Sequence, residues 1–338
     1  MGRKTLSISI AAYNVSHCIR RALDSLITDA AHMEKMDIII VNDGSTDDTL
    51  AIANEYAERY PGTFRVIDKE NGGYGSTINA SLEVASGRYY KLLDGDDWYD
   101  TDGLCNLIDF LDDLAGMEDT DADLVISPYY VIKGEAAFVL HHPEFPKQTC
   151  SLSSLPVYED GLFQMHGLTV KTDVLKHYGH PIAKHCFYTD IEYLFYCFAA
   201  ADSVVRHVLP VYCYRLDVDG QSVSLKGIQK HFKDHAIVTK RICKCYEEEC
   251  LGFTGTKKRI LDSAVTFALY GMFKSYMVLD NAEQYKGDLM SLDASVKRQY
   301  PKAYQKGYDS KAVRATRMLR FRGYKVLCAY MRWKAVRS

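Results

Sequence analysis

The stretch MDIIIVND, residues 36–43, is a continuous apolar run of strand length that closes on two polar residues, and the pattern returns in GRYYKLLD, residues 87–94. A strand apolar on both faces must be covered on both faces, which is the position of a parallel strand inside an α/β sheet. Helical spacing fills the gaps. SHCIRRALDSLITDAA sets Ile19, Leu23, Leu26 and Ile27 on one face, and GSTINASLEVA reads as a further helix. In DGSTDDTLAIANEYAERY, Ser45 or Thr46 can cap a helix whose first turn holds Asp47 and Asp48, the end that favours negative charge. With TLSISIAAY and FRVIDK as additional strands, the first third predicts a doubly wound, mostly parallel α/β sheet.

Ligands of such sheets bind at the carboxyl ends of the strands, and Asn14, Asp43, Asn71 and Asp94 each stand just past a predicted strand. Asp94 opens the acidic run Asp94-Gly95-Asp96-Asp97, whose carboxylates repel one another unless a cation lies between them. Carboxylate oxygens are the donors that Mg²⁺ and Mn²⁺ prefer, and Gly95 permits a sharp turn or a close approach. In isolation such a run would be a solvated turn ahead of the helix expected near Asp102. The glycines of ENGGYGST precede a helix and can bring N–H groups towards a phosphate or sugar. They do not form GxGxxG and do not follow the first strand, where AAYNVS stands, which excludes a nicotinamide-binding sheet.

Beyond residue 101 the pattern is mixed. A helix is expected around 102–115, a strand at DLVISPYYVI, a looser region around Pro143, Pro146 and Pro156, and a helix from YTDIEYLFYCFAAA. SVVRHVLPVYCYRL reads as a strand pair interrupted by Pro210, and residues 226–338 read mainly helical. The expected division is a catalytic domain of residues 1–225 and a helical region of residues 226–338. A formal charge of -3 argues against a general nucleic-acid binder. The ten cysteines lack a framework spacing and read as reduced thiols; in CKCYEEEC a helix would not bring all three sulfurs to one face. No apolar run reaches the roughly 20 residues of a membrane span, no signal peptide is legible, and Leu6 breaks the myristoylation pattern. The expected location is the cytoplasm.

Four blocks in order, ISIAAYN, IIIVNDGSTDDT, NGGYGSTINAS and YYKLLDGDDW, followed by YTDIEYLF and YCYRLDVDGQSVS, resemble the inverting glycosyltransferases of family 2, which have the GT-A nucleotide-sugar fold. The resemblance covers roughly residues 5–225. It implies that Ala11, Tyr13 and Asn14 lie near the nucleotide base, that Asp43 bonds the uracil or its neighbour, and that Gly72, Gly73 and Asn79 belong to the donor site. It further implies that Asp94 and Asp96 hold Mn²⁺ or Mg²⁺, with Asp96 the direct ligand, Asp94 at the ribose or a metal-bound water, and Asp97 close by. Asp190 corresponds to the catalytic base, with Glu192 its nearest competitor. Tyr214, Arg215, Gln221 and Ser222 fall in a loop that closes over the donor. His166 and His207 are candidate third ligands, and Trp98 is either a stacking wall for an acceptor sugar or part of the core.

Two departures stand out: Asn42 replaces the first of two acids, and Thr77-Ile78-Asn79 replaces Ala-Arg-Asn, so the arginine near the diphosphate is absent. Another cation or the metal must compensate. The implied activity is transfer of a sugar from a UDP-sugar to a glycan or lipid-linked acceptor in cell-surface polysaccharide synthesis. A polyprenyl-phosphate glycosyltransferase and a catalytically silent nucleotide-sugar-binding module are the alternatives. In residues 311–338, Arg314, Arg317, Arg320, Lys325 and Arg332 interleave with Met318, Leu319, Phe321, Tyr324, Leu327 and Trp333, without Asp or Glu. Such a segment suits an anionic membrane surface, or else packs on its own domain with a solvated basic face.

Overall fold

The computed structural model describes residues 4–116, 121–142, 145–155, 163–216 and 224–337. The apolar runs become the first four strands, β1 (Leu6–Ala12), β2 (Met36–Asp43), β3 (Phe64–Lys69) and β4 (Tyr89–Asp94), in the order β3-β2-β1-β4 and all parallel. Every residue of β2 is buried, as a strand apolar on both faces requires. The connections are α1 (Ile19–Asp24), α2 (Ala30–Lys35), α3 (Thr49–Arg59) and α4 (Tyr74–Val84). Helix α3 begins later than its sequence signals: Asp47, expected inside the first turn, accepts the Thr49 N–H at 3.0 Å from outside it.

The sheet then turns from parallel to mixed. β10 (Leu168–Lys171) is antiparallel to β4 and to β6 (Leu124–Ile126); β11 (Ser203–Arg206) is parallel to β6; and β9 (Cys150–Ser151) is antiparallel to β11. A second sheet has the order β5-β12-β7-β8, from β5 (Trp98–Tyr99), β12 (Tyr212–Leu216), β7 (Tyr129–Lys133) and β8 (Ala136–Leu140). DLVISPYYVI, read as one strand, is two: Pro128 lies between β6 in the large sheet and β7 in the small one. Pro210 lies likewise between β11 and β12. A proline cannot donate to a ladder, so each marks the exchange between sheets. The two breaks meet, with the Pro128 carbonyl accepting from the Val211 N–H at 3.2 Å. Helices α5 (Thr101–Gly116) and α6 (Thr172–Tyr178) complete this part.

The chain forms two compact units, one of Met1–Glu159, Phe163–His185 and Tyr196–Asp217, the other centred on Cys186–Phe195 and Val218–Ser338. The second unit takes the beginning of α7 (Thr189–Ala200) and then α8 (Leu225–Lys230), α9 (Asp234–Glu249), α10 (Gly255–Met277), α11 (Lys286–Gln299), α12 (Pro301–Lys306), α13 (Lys311–Met318) and α14 (Tyr324–Arg337). Leu261, Val265, Leu269 and Met272 of α10 are buried together with Ile242 and Tyr246 of α9. Cys243, Cys245 and Cys250 are buried thiols. Arg317 is also inside: it donates to Asp293 through Nη2 at 2.7 Å and Nε at 3.0 Å, and through Nη1 to the Tyr304 carbonyl at 2.8 Å. A Cβ on Gly307 would stand 2.3 Å from Nη1, so the guanidinium needs a glycine beside it.

Asn42, the first departure noted above, pairs in register with Asp68 of β3, and its Nδ2 donates to Asp68 Oδ1 at 2.8 Å. An aspartate at 42 would set two carboxylates face to face, with its own side buried. We predict that Asn42→Asp destabilises the protein by about 1–3 kcal/mol at pH 8 and by less at pH 5. The facing pair would have a raised carboxyl pKa in the folded state, so the stability retained at low pH is lost as pH rises through that value. Urea unfolding at the two pH values measures this; equal stabilities at both would refute the assigned pairing.

Candidate active site

The carboxyl end of β1 is tied to the loop after β2. Asn14 adopts φ +53°; its Oδ1 accepts the Thr46 N–H at 2.8 Å, and its own N–H donates to Ser45 Oγ at 3.0 Å. Tyr13 next to it is 52% exposed, an aromatic face at the strand edge available to a flat ligand. Ala11 governs the neighbouring turn: a Cβ on Gly95 would stand 2.8 Å from the Ala11 carbonyl oxygen, so only glycine lets the acidic run pass this close to β1.

Asp43, for which the resemblance implies a base contact, is bonded to the glycine loop and to Lys69. Its buried carboxylate accepts from Gly72 N at 2.9 Å, Gly73 N at 2.8 Å, Lys69 Nζ at 2.6 Å and Ser76 Oγ at 3.2 Å. The side chain at the end of β2 thereby caps α4 from a distance and holds the glycine loop, with Gly73 at φ +79°. Lys69 brings an ammonium to the block in which the arginine is missing. Asn79 is a brace: its Nδ2 donates to the Ile182 carbonyl and its Oδ1 accepts the Ile182 N–H, both at 2.8 Å. Gly75 permits the same approach, since a Cβ there would stand 2.0 Å from the Ala183 oxygen.

At the end of β4 the three acids separate by environment. Asp97 is 2% exposed; its Oδ2 accepts from Tyr212 Oη at 2.7 Å and its Oδ1 from the Arg215 N–H at 2.8 Å. Tyr212 Oη in turn accepts the Asp94 N–H at 3.2 Å. Burial, reinforced by the charge of Asp96, pushes the Asp97 carboxyl up to about 7. Asp94 and Asp96 are only partly buried. Arg215 lies near Asp96 and Asp97 and reaches the thiol of Cys18, which is held above its ordinary value by burial and by Asp96.

Ligand atoms of Asp94, Asp97 and His166 lie within 4.8 Å of one another. The His166 ring stacks on Tyr214 with centroids 4.0 Å apart, and burial lowers its pKa to about 3, leaving a neutral imidazole. Beneath it is a residue that the sequence reading passed over. Lys91 of β4 is fully buried, donates to the carbonyls of His166 at 2.8 Å and Leu168 at 3.1 Å, and is lowered by burial to about 7. A lysine inside the apolar run YYKLL was the signal available. Carboxylate oxygens with one neutral imidazole nitrogen form a donor set that fits Mn²⁺.

Of the remaining candidates, Trp98 is covered by the Arg21 guanidinium, 3.1 Å from its ring centroid. His207 does not join the acidic run: it is 1% exposed, bonded through Nε2 to Asn106 Oδ1 at 2.9 Å and packed on Phe110, an ordinary core histidine. Gln221 and Ser222 lie outside the described residues.

In the second unit, Asp190 occupies the first turn of α7. Burial raises its carboxyl above the ordinary value, against the opposing effect of the Ile191 N–H. The approach to it is held by Tyr188, at φ +64° and stacked on His235 with centroids 3.7 Å apart, and by Phe187, stacked on His231 at 3.6 Å. Glu192, the competing acid, is fully buried and accepts from Arg241 Nε at 2.5 Å. Glu192 is thus engaged by a cation, whereas the carboxyl of Asp190 is raised by burial.

The family profile described as glycosyl transferase family 2 matches residues 7–179. The chain is 33% identical over 128 residues to the minor teichoic acid biosynthesis protein GgaB of Bacillus subtilis (strain 168), covering 38% of this chain and 14% of that protein. To the chondroitin synthase of Pasteurella multocida (strain Pm70) it is 27% identical over 240 residues, covering 70% and 23%. The chain thus spans a minor part of the length of these relatives. Among solved structures, S. aureus TarS 1-349 superposes with a TM-score of 0.66 at 17% identity, covering 95% of this chain and 90% of that one. TarS 1-349 in complex with UDP-GlcNAc gives 0.55 at 15% identity, covering 89% and 90%. At these identities the likeness establishes the fold.

The folded state holds a proton on Asp97 to about pH 7, whereas an unfolded aspartate releases it near its ordinary value of 3.8. Stability contributed by this group is therefore complete below about 3.8 and lost as pH rises towards 7. Relative to Asp97→Asn, which keeps a neutral side chain at every pH, the parent protein should lose stability over that interval. Thermal melts of both proteins at a series of pH values without divalent ions test this, and parallel profiles would exclude the buried titration.

Proposed function

This chain belongs to glycosyl transferase family 2 and has the GT-A fold, and we propose that it is an inverting glycosyltransferase using a nucleotide-sugar, of the UDP-sugar class, as donor. The acceptor is a hydroxyl of a glycan or lipid-linked oligosaccharide in cell-surface polysaccharide assembly, and the enzyme works in the cytoplasm at the inner face of the membrane. One observation carries the reading: an exposed aromatic, a glycine loop and an acidic run converge on the carboxyl edge of β1, β2 and β4. The relatives named for teichoic acid and chondroitin synthesis support the acceptor class, and the TarS complex with UDP-GlcNAc supports the donor class.

Tyr13 and Asn14 receive the base, and the loop held by Asp43 presents Gly72 and Gly73 to the donor. Lys69 and Arg215 supply positive charge in place of the absent arginine. Asp94 and Asp96, the acids left partly exposed, would hold a divalent ion, with His166 the nearby imidazole, while Asp97 fixes the turn through Tyr212 and the Arg215 N–H. When bound, such an ion acts as a Lewis acid towards the negative charge of the leaving diphosphate.

Asp190 accepts the proton of the acceptor hydroxyl. The acceptor oxygen bonds to C1 of the sugar as the bond from C1 to the diphosphate oxygen breaks on the opposite face, which inverts the anomeric centre. A carboxylate whose pKa burial has raised is a better match to a weakly acidic alcohol than an ordinary surface aspartate.

Calorimetric titration with UDP and with UDP-, GDP- and dTDP-sugars, in Mn²⁺ and then in EDTA, tests the donor site. UDP binding should require the ion and disappear in Asp96→Ala; metal-independent binding, or none, would overturn the reading. Asp190→Asn should keep the donor Kd and lower kcat by about 10²–10⁴-fold. In the parent enzyme, kcat should rise with pH through the raised Asp190 value. Transfer undiminished in Asp190→Asn would remove Asp190 as base and favour a lipid-phosphate acceptor, which needs less base catalysis.

A further inference from the structure

Helix α14 is apolar on two opposite sides. At about 100° per residue, Tyr324, Cys328 and Met331 fall on one side, where they are buried against the body of the second unit. Val326, Tyr330 and Trp333 fall on the other side and point to solvent, 72%, 55% and 53% exposed. The rings of Tyr330 and Trp333 stack, with centroids 6.1 Å apart, so the outer stripe is continuous. Exposed cations accompany it: Lys325 along one border, Lys334 along the other, and Arg322 in the turn before the helix. Arg332 is the exception, turned to the carbonyls of Leu279 and Asp280 at 3.4 and 3.3 Å.

The same character runs back through the turn before α14. Arg320 and Phe321 both have positive φ, 47° and 58°, a conformation that L residues adopt against steric resistance. Phe321 is thereby buried, while Met318 and Leu319 stand out, 72% and 49% exposed, beside exposed Arg314 and Arg320. The burial of Tyr324, Cys328 and Met331 does not account for this outer surface, which stays half or more exposed at Val326, Tyr330 and Trp333. Residues 311–338 contain no Asp or Glu in a chain whose net charge is -3.

We propose that this outer face of α13 and α14 is a docking surface for an anionic lipid bilayer. The helix would lie in the headgroup plane with Val326, Tyr330 and Trp333 immersed, and with Arg322, Lys325 and Lys334 at the phosphates. Aromatic rings with a polar edge favour that depth. Among the described residues no helix is long and apolar enough to cross a membrane, so the contact is one of lying on the surface. A second copy of this chain would set like charges against like, and a nucleic acid would leave the apolar stripe in water. The proposal deepens the reading of a membrane-face enzyme but rests on a surface separate from the donor residues.

The full chain is tested by sedimentation with phosphatidylcholine vesicles, with and without phosphatidylglycerol, at low and high NaCl. Binding should be at least about tenfold tighter to the anionic vesicles and weaken with salt. Val326→Ser/Tyr330→Ser/Trp333→Ser and Arg322→Glu/Lys325→Glu should each lose it while melting like the parent, because every substituted side chain is exposed. In a Trp98→Phe background, Trp333 is the remaining tryptophan, and its emission should move to the blue on anionic vesicles. Asp96→Ala should bind vesicles as the parent does, which separates failure of this surface from failure of the donor site. Equal binding to neutral vesicles, unchanged binding by the stripe variant, or a dimer abolished by that variant would each overturn the proposal.

Discussion

A single buried carboxylate joins the two sheets of the first unit. Asp97 follows β4 of the large sheet and is held by Tyr212 and the Arg215 N–H, both of β12 in the small sheet. Because Tyr212 also accepts the Asp94 N–H, one phenol fixes both ends of the acidic turn. The arrangement is maintained against electrostatics, with Asp96 next in sequence and little water to screen the pair. The local structure leaves Asp94 and Asp96 partly exposed at the end of β4.

The positive groups around that turn differ in kind. Lys91 is sealed beneath it and bonded to carbonyl oxygens, so its ammonium contributes a field and not a ligand contact. Arg215 and Asp96 both act on the Cys18 thiol, and Lys69 serves Asp43 at the neighbouring strand end. Burial weakens the protonation of Lys91 and the ionisation of Asp97 alike, which limits the cost of enclosing both in one region. In the second unit Glu192 is paired with Arg241 and Asp293 with Arg317, and burial raises the carboxyls of both Asp293 and Asp190.

Much of this was legible in the amino-acid sequence. Period, strand length and the placing of polar residues after apolar runs are local properties, and they located β1 to β4, their helices and the strand ends at which Asn14, Asp43 and Asp94 stand. Ordered blocks identified the family, since six short patterns in sequence are far more restrictive than any one of them. The loss of Arg from the glycine block and the Asn at 42 were also visible, although not their partners. Lys91 was readable as an anomaly, a charge inside a buried run.

What the sequence determined by itself was which segments are buried strands, which strand ends carry polar chemistry, and that acidic residues crowd the end of β4. Tertiary structure alone decided how each of those residues is employed. Asp43 became a cap for the glycine loop, Asn79 a brace to Ile182, His207 a core residue and Asp97 a link between sheets. It also decided that DLVISPYYVI divides across two sheets and that α14 turns one of two apolar sides outward. The physical reason is the range of the interactions. Hydrophobic period is set by neighbours three or four residues away, whereas hydrogen-bond partners, desolvation and the sign of a pKa shift come from groups far away in the chain that only the fold brings together.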